Sequence, residues 1–247
     1  MSTRKAGGGV GEMIRTIVLA VLIALGIRTF AYEPFNIPSG SMIPTLLVGD
    51  YLFVSKLSYG YSRHSLPFSP PLMSGRLFFT EPVRGDVAVF KKPTDTATDF
   101  IKRIMGLPGD TIQVRRGIVH INGKPLKRER VDDFIGVDYY GRPVRTAQYR
   151  ETLPNGREHL ILEQLGDMSG ADNTPPFSVP AGHYFMMGDN RDNSVDSRTI
   201  EVGFVPRENL VGRAEILFFS TDGTAEKWEI WKWPSAIRFV RLFQGIT

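Results

Sequence analysis

The feature that most constrains this chain is an uncharged, almost wholly apolar run from Thr16 to Ile27, which continues past Arg28 through Phe30, Ala31 and Tyr32. As a helix, Thr16 to Tyr32 extends roughly 26 Å, enough for a thin bilayer core. The charge-free stretch alone fits a buried helix, a signal-peptide core or a membrane anchor, and the flanks discriminate. Arg4, Lys5 and Arg15 precede the run, and Arg28 sits near its end, where a long side chain can snorkel to the interface. The positive-inside bias then keeps residues 1–13 in the cytoplasm, makes 14–32 a single transmembrane anchor and sends the body across the membrane. The other reading is a cleavable leader, with Thr29, Phe30 and Ala31 as a small-x-Ala site. A retained anchor fits better, because Glu33, Pro34 and Phe35 make an awkward mature end and a polar motif follows at once.

What lies beyond the anchor must fold without cysteine, since none occurs among the 247 residues. Disulfides, thiolate metal clusters and a cysteine nucleophile are excluded, so serines, lysines, carboxylates and four histidines must carry any chemistry. At 42% hydrophobic and 23% charged residues the chain can bury a core. The net charge of +4 is half accounted for by Arg4, Lys5 and Arg15 against Glu12, and the remaining 27 basic and 25 acidic residues nearly balance. That body has no basic footprint, and no nucleic-acid partner is expected.

Short apolar runs rich in β-branched and aromatic residues fall at Tyr51–Ser55, Leu77–Phe79, Asp86–Phe90, Phe100–Met105, Thr111–Val114, Ile118–Ile121, His183–Met187 and Ala214–Phe219. They predict a mainly β body, a catalytic core over 33–121 and 181–224. Between Asn122 and Pro180 charges accumulate, Tyr139, Tyr140 and Gly141 suggest a turn, and 166–176 is loop-like, so 122–180 is expected to be a smaller inserted subdomain. Asn122-Gly123 signals a hairpin. In the tail, 225–247, Trp228, Trp231, Trp233, Phe239, Leu242 and Phe243 alternate with Lys227, Lys232, Arg238 and Arg241, and Pro234 is expected to precede a short amphipathic helix. Such a mixture suits a lipid headgroup zone, with packing on the core as the alternative.

Three motifs could carry chemistry. Pro38-Ser39-Gly40-Ser41-Met42-Ile43-Pro44-Thr45 is a loop pinned by two prolines, with Gly40 allowing close backbone approach. Asp99 to Met105 reads as a strand on which Phe100, Lys102 and Ile104 share a face, so Lys102 lies along apolar surface. Working as a base near neutral pH requires a fall of roughly three units from its ordinary ~10.4, which burial can supply. Arg103 cannot do this, because guanidinium does not deprotonate in proteins. Gly188 to Arg198 is dense in short polar side chains. As a calcium loop it fails, with Arg191 at a ligand position and Gly203 where a closing glutamate is needed; a network built on an Asp196–Arg198 ion pair fits better. His64, His120, His159 and His183 are scattered without metal-ligand spacing, and no metal is expected.

In this order and spacing, Pro-Ser-Gly-Ser-Met-x-Pro-Thr after one anchor, Lys-Arg-x-x-Gly-x-Pro-Gly-Asp at Lys102 to Asp110, and Gly188 to Arg198 together resemble the type I bacterial signal peptidases, membrane-anchored serine proteases with a Ser/Lys dyad. The likeness covers Phe35 to Lys56, Arg84 to Asp110 and Gly182 to Gly212. It implies Ser41 as nucleophile, Lys102 as general base, the Ser39 hydroxyl and Ser41 N–H as oxyanion donors, and Ser194 orienting Lys102. Gly188, Asp196 and Arg198 would support them. It also implies a β-rich catalytic core interrupted by a variable β subdomain, on the outer face of a bacterial inner membrane, with signal peptides of exported preproteins and the lipid bilayer as partners. No metal or organic cofactor is implied. Phe35, Ile37, Pro38, Leu46, Phe100 and Ile101 are expected to line shallow pockets for small side chains, suiting Ala-x-Ala sites.

Overall fold

A computed structural model describes residues 9–66, 69–71, 73–137, 143–167, 169–226 and 228–247, so the expected turn at Tyr139 to Gly141 lies outside the described residues. The apolar run forms α1 (Val10–Phe30), and none of its residues is buried. It is long and apolar enough to cross a membrane. It stops slightly short of the expected boundary: Tyr32 already opens β1 (Tyr32–Asn36), with Arg28 3.5 Å from Glu33 at the junction.

The body is mainly β, as expected. A hairpin-like excursion carrying the Ser41 loop joins β1 to β2 (Asp50–Ser55), and β3 (Val87–Lys92) turns into the long β4 (Asp95–Gly106). Next come β5 (Thr111–Arg115), β6 (Ile118–Ile121) and β7 (Lys124–Pro125), then β8 (Lys127–Arg130), β9 (Phe134–Val137), β10 (Pro143–Thr152) and β11 (Glu158–Glu163). The chain returns through β12 (Phe177–Ser178), β13 (His183–Met187), β14 (Val205–Pro206) and β15 (Leu210–Ser220). The main sheet has seven strands in the order β1-β2-β15-β3-β4-β13-β14, all paired antiparallel.

Alternation along the strands builds its two faces. Val87 and Val89 of β3 join Leu52, Val54, Ala214 and Leu217 with Ile37, Met42 and Leu46 of the Ser41 loop. Ala88 and Phe90 face the other way, onto Ile104, Tyr184, Met186 and Val205. The second sheet, β12-β5-β6-β7, contributes Ile112, Val114, Val119 and Ile121 to a core shared with Met105, Phe185 and Met187 of the main sheet. Because β5 and β6 pair with β12 and β7, this sheet spans both sides of Asn122. Asn122-Gly123 does turn this hairpin, both at positive φ, the backbone that Asn-Gly favours. A third sheet, β11-β10-β8 with β9 on β10, lies wholly in the charged segment.

Two local expectations fail. Leu77–Phe79 makes only an isolated bridge from Leu77 to Tyr61, and Phe78 is exposed with a positive φ, a backbone that cannot continue a strand. In the tail, Pro234 lies inside the single helical turn α2 (Trp233–Ala236), at the first-turn position proline tolerates, and no amphipathic helix follows it. Instead Ile237 bridges to Thr221 and Gly245 to Ile216, while Arg241 donates to both carboxylate oxygens of the buried Asp50 at 3.1 and 2.5 Å. The tail backbone is thus stitched to β15, and Trp228, Trp231 and Phe243 remain exposed.

Candidate active site

Ser41 lies in the loop between β1 and β2, whose apolar side chains Ile37, Met42 and Leu46 plug into the core and hold it against the sheet. Lys102 comes from β4, opposite Ala88 of β3. Their side chains meet: the Lys102 Nζ donates to Ser41 Oγ at 2.7 Å and to the Ile101 carbonyl at 3.0 Å. Both residues are buried. The Phe100 ring lies 5.3 Å from the ammonium, and no carboxylate pairs with it among the described residues. Burial pushes the Lys102 pKa down to about 8, although Asp196 and Asp189 pull it upward from a distance. Desolvation disfavours the charged form, so the lysine is poised to give up its proton near neutral pH.

Ser39 Oγ is 3.5 Å from Ser41 Oγ, on the same rim. Phe35, Ile37, Pro38, Phe100 and Ile101 line a groove of about 920 Å³ that opens onto Ser41 and Lys102, with Ser194 on the facing wall. Leu46 is not among them. It is wholly enclosed in the core beneath the loop, so the expectation that it contacts substrate is corrected: its apolarity serves to anchor the loop.

The Gly188–Arg198 loop clamps the serine loop through its backbone. Asn190 donates its N–H to the Ser41 carbonyl and its side-chain amide to the Gly40 carbonyl, each at 3.1 Å. A Cβ at Gly188 would come 2.2 Å from Ser194 Oγ and 2.5 Å from the Ser41 carbonyl oxygen, so only glycine permits this approach. The Gly188 N–H donates to Asp196 Oδ2 at 3.0 Å, and Asp196 is paired with Arg198 at 2.9 and 2.8 Å. Burial alone would raise the Asp196 carboxyl, but Arg198 and the backbone donors outweigh it and hold it low. Ser194 departs from expectation. Its Oγ is buried without any hydrogen-bond partner, so it makes no bond to Lys102.

Sequence reasoning missed the charges beneath the dyad. Arg103, next to Lys102 on β4, is buried and grips Asp189 with two bonds of 2.9 and 2.7 Å, while Thr45 donates to Asp189 Oδ2 at 2.5 Å. Asp189 therefore joins β4, the serine loop and the Gly188–Arg198 loop. Burial opposes its charge, but Arg103 holds its carboxyl low. Farther out, buried Arg191 donates to both oxygens of buried Glu151 on β10, which is also 3.3 Å from His159. The polar density of 188–198 was a signal for a network, but not for these partners.

A β-rich body that presents a serine hydroxyl hydrogen-bonded to a buried lysine in an open groove has the layout of a serine peptidase in which lysine stands where histidine is more usual. Within that class the chain belongs to the signal peptidase family, peptidase S26, which matches residues 10–219. It is 40% identical over 260 residues to a signal peptidase I of Rickettsia typhi, covering 98% of this chain and 96% of that one. It is 44% identical over 210 residues to the signal peptidase I of Rickettsia akari, covering 81% and 76%. A crystal structure of a signal peptidase I from Enterococcus faecalis is similar at 28% identity, covering 54% of this chain and 97% of that one, with a TM-score of 0.32.

Proposed function

We propose that the chain removes signal peptides from exported preproteins, with Ser41 as nucleophile and Lys102 as its general base. The observation that carries this reading is the 2.7 Å hydrogen bond between Lys102 Nζ and Ser41 Oγ, made in a buried setting that lowers the lysine pKa to about 8. Neutral Lys102 takes the Ser41 proton as Oγ attacks the scissile carbonyl. The tetrahedral oxyanion is held by the Ser41 N–H and the Ser39 hydroxyl. The protonated lysine then gives its proton to the leaving amine, and water, activated by the same lysine, hydrolyses the acyl-enzyme and frees Ser41.

An extended substrate strand laid in the groove presents alternate side chains to one wall. Phe35, Ile37, Phe100 and Ile101 make that wall apolar, which supports reading the residues one and three before the scissile bond together and preferring alanine at both. The bare apolar surface of α1 and the basic residues before it support a membrane anchor with the N-terminus in the cytoplasm and the body on the periplasmic face of the inner membrane. Exposed Trp228 and Trp231 support lipid contact by the tail, which leaves its backbone on the core.

Cleavage of a preprotein by the detergent-solubilised chain tests the assignment. Ser41→Ala and Lys102→Arg should each lose at least ~10⁴-fold in turnover, the arginine because it keeps the charge but accepts no proton, and the double variant should be little worse than either. Wild-type turnover by Lys102→Arg would remove the base from this mechanism. Phenylalanine immediately before the scissile bond should nearly stop cleavage, and equal rates with alanine and phenylalanine there would displace the pocket.

A further inference from the structure

At the Gly188–Arg198 loop, three carboxylates converge from separate parts of the chain. Glu163 ends β11, Asp172 closes the short turn at Gly170–Asp172, and Asp192 belongs to the loop itself. One oxygen of each lies within 4.8 Å of the others. Two are fixed by backbone donors: Asp192 Oδ2 accepts from the N–H groups of Gln164 and Leu165 at 2.7 and 2.8 Å, and Asp172 Oδ2 accepts from Ser169 at 2.7 Å. That leaves Asp192 Oδ1, Asp172 Oδ1 and both Glu163 oxygens, all shielded from solvent and all without a hydrogen-bond partner. Glu163 is 1% exposed.

Buried carboxylate oxygens of this kind need either a cation or protons. The neighbouring arginines make no hydrogen bond to these oxygens. Arg128 comes no nearer than 3.6 Å to Glu163 while donating twice to Asp167, and Arg191 gives both terminal nitrogens to Glu151. An ion at the centre would find oxygens that are already oriented by backbone bonds, which is how ligating carboxylates are usually held.

We propose that Glu163, Asp172 and Asp192 form a site for a hard divalent cation, with calcium favoured. Calcium accepts carboxylates in flexible geometry, whereas magnesium keeps several waters, and these oxygens are shielded from solvent. The bound ion then ties β11 to the loop whose Asn190 holds the Ser41 carbonyl, and so fixes the inserted segment to the catalytic loop.

The test uses the full chain in detergent, stripped with EDTA and titrated with calcium or magnesium at constant ionic strength, read by calorimetry and by melting. The proposal expects one calcium per chain, weaker magnesium, and a melting rise of roughly 5 °C at a hundredfold excess over Kd. Glu163→Gln and Asp172→Asn should each weaken calcium binding at least tenfold. If either fails to fold, Asp192→Asn, at the least buried position, is read in its place. No heat and no melting shift at about 10 mM calcium, above the range of weak extracellular sites, would overturn the proposal, as would full calcium affinity in Glu163→Gln.

Discussion

Lys102 and Arg103 are consecutive on β4, both buried, and treated in opposite ways. Arg103 finds a carboxylate, Asp189, in a two-pronged contact, and its charge is permanent. Lys102 finds a serine hydroxyl, a carbonyl and an aromatic ring, none of which neutralises an ammonium, and its pKa falls to about 8. Successive strand side chains point to opposite faces, so one strand can carry a structural cation inward and a titrating one toward the groove. The difference lies in the partner and not in the depth of burial.

Removing Arg103's partner should have the largest effect on folding. Asp189→Asn keeps the shape but leaves the guanidinium buried without a counter-charge, and it should reduce unfolding free energy by about 3 to 5 kcal/mol in denaturant titration. A change within ~0.5 kcal/mol would mean that the pair does not hold β4 to the two loops.

The opposite result is expected one residue away. Lys102 has a folded pKa below its ordinary 10.5, so the fold disfavours its charge, and the penalty is absent above about pH 10.5 and full below about pH 8. Lys102→Met should therefore stabilise the chain at pH 7, by up to about 3 kcal/mol, and the gain should fade as pH rises toward 10.5. A destabilised Lys102→Met across this range would show that the lysine is held as a structural ion like its neighbour.

The contrast also explains what the sequence could reveal. α1 was legible because a long charge-free apolar run is a local compositional signal, and β2, β4, β6 and β13 because apolar alternation is local. Ser41 and Lys102 were legible through motifs on two short segments. The Arg103–Asp189 contact spans 86 positions, and no local pattern announces it. Strands β10 and β11 were hidden because residues such as Arg145, Arg150 and Glu158 give them a polar face. Ser194, which the resemblance implies orients Lys102, has no hydrogen-bond partner here, and a motif does not fix where a hydroxyl points. Leu46 looked like a pocket residue for the same reason: next to the loop in sequence, it faces the core.

The central claim is that burial without a counter-charge turns Lys102 into a base, and the pH dependence of kcat/KM for a preprotein tests it most directly. The account predicts an acid limb with an apparent pKa near 8, activity falling about tenfold per unit below it because only the neutral amine can accept the Ser41 proton. An acid limb near 6.5, the ordinary range of histidine, or a profile flat from pH 6 to 9, would contradict it.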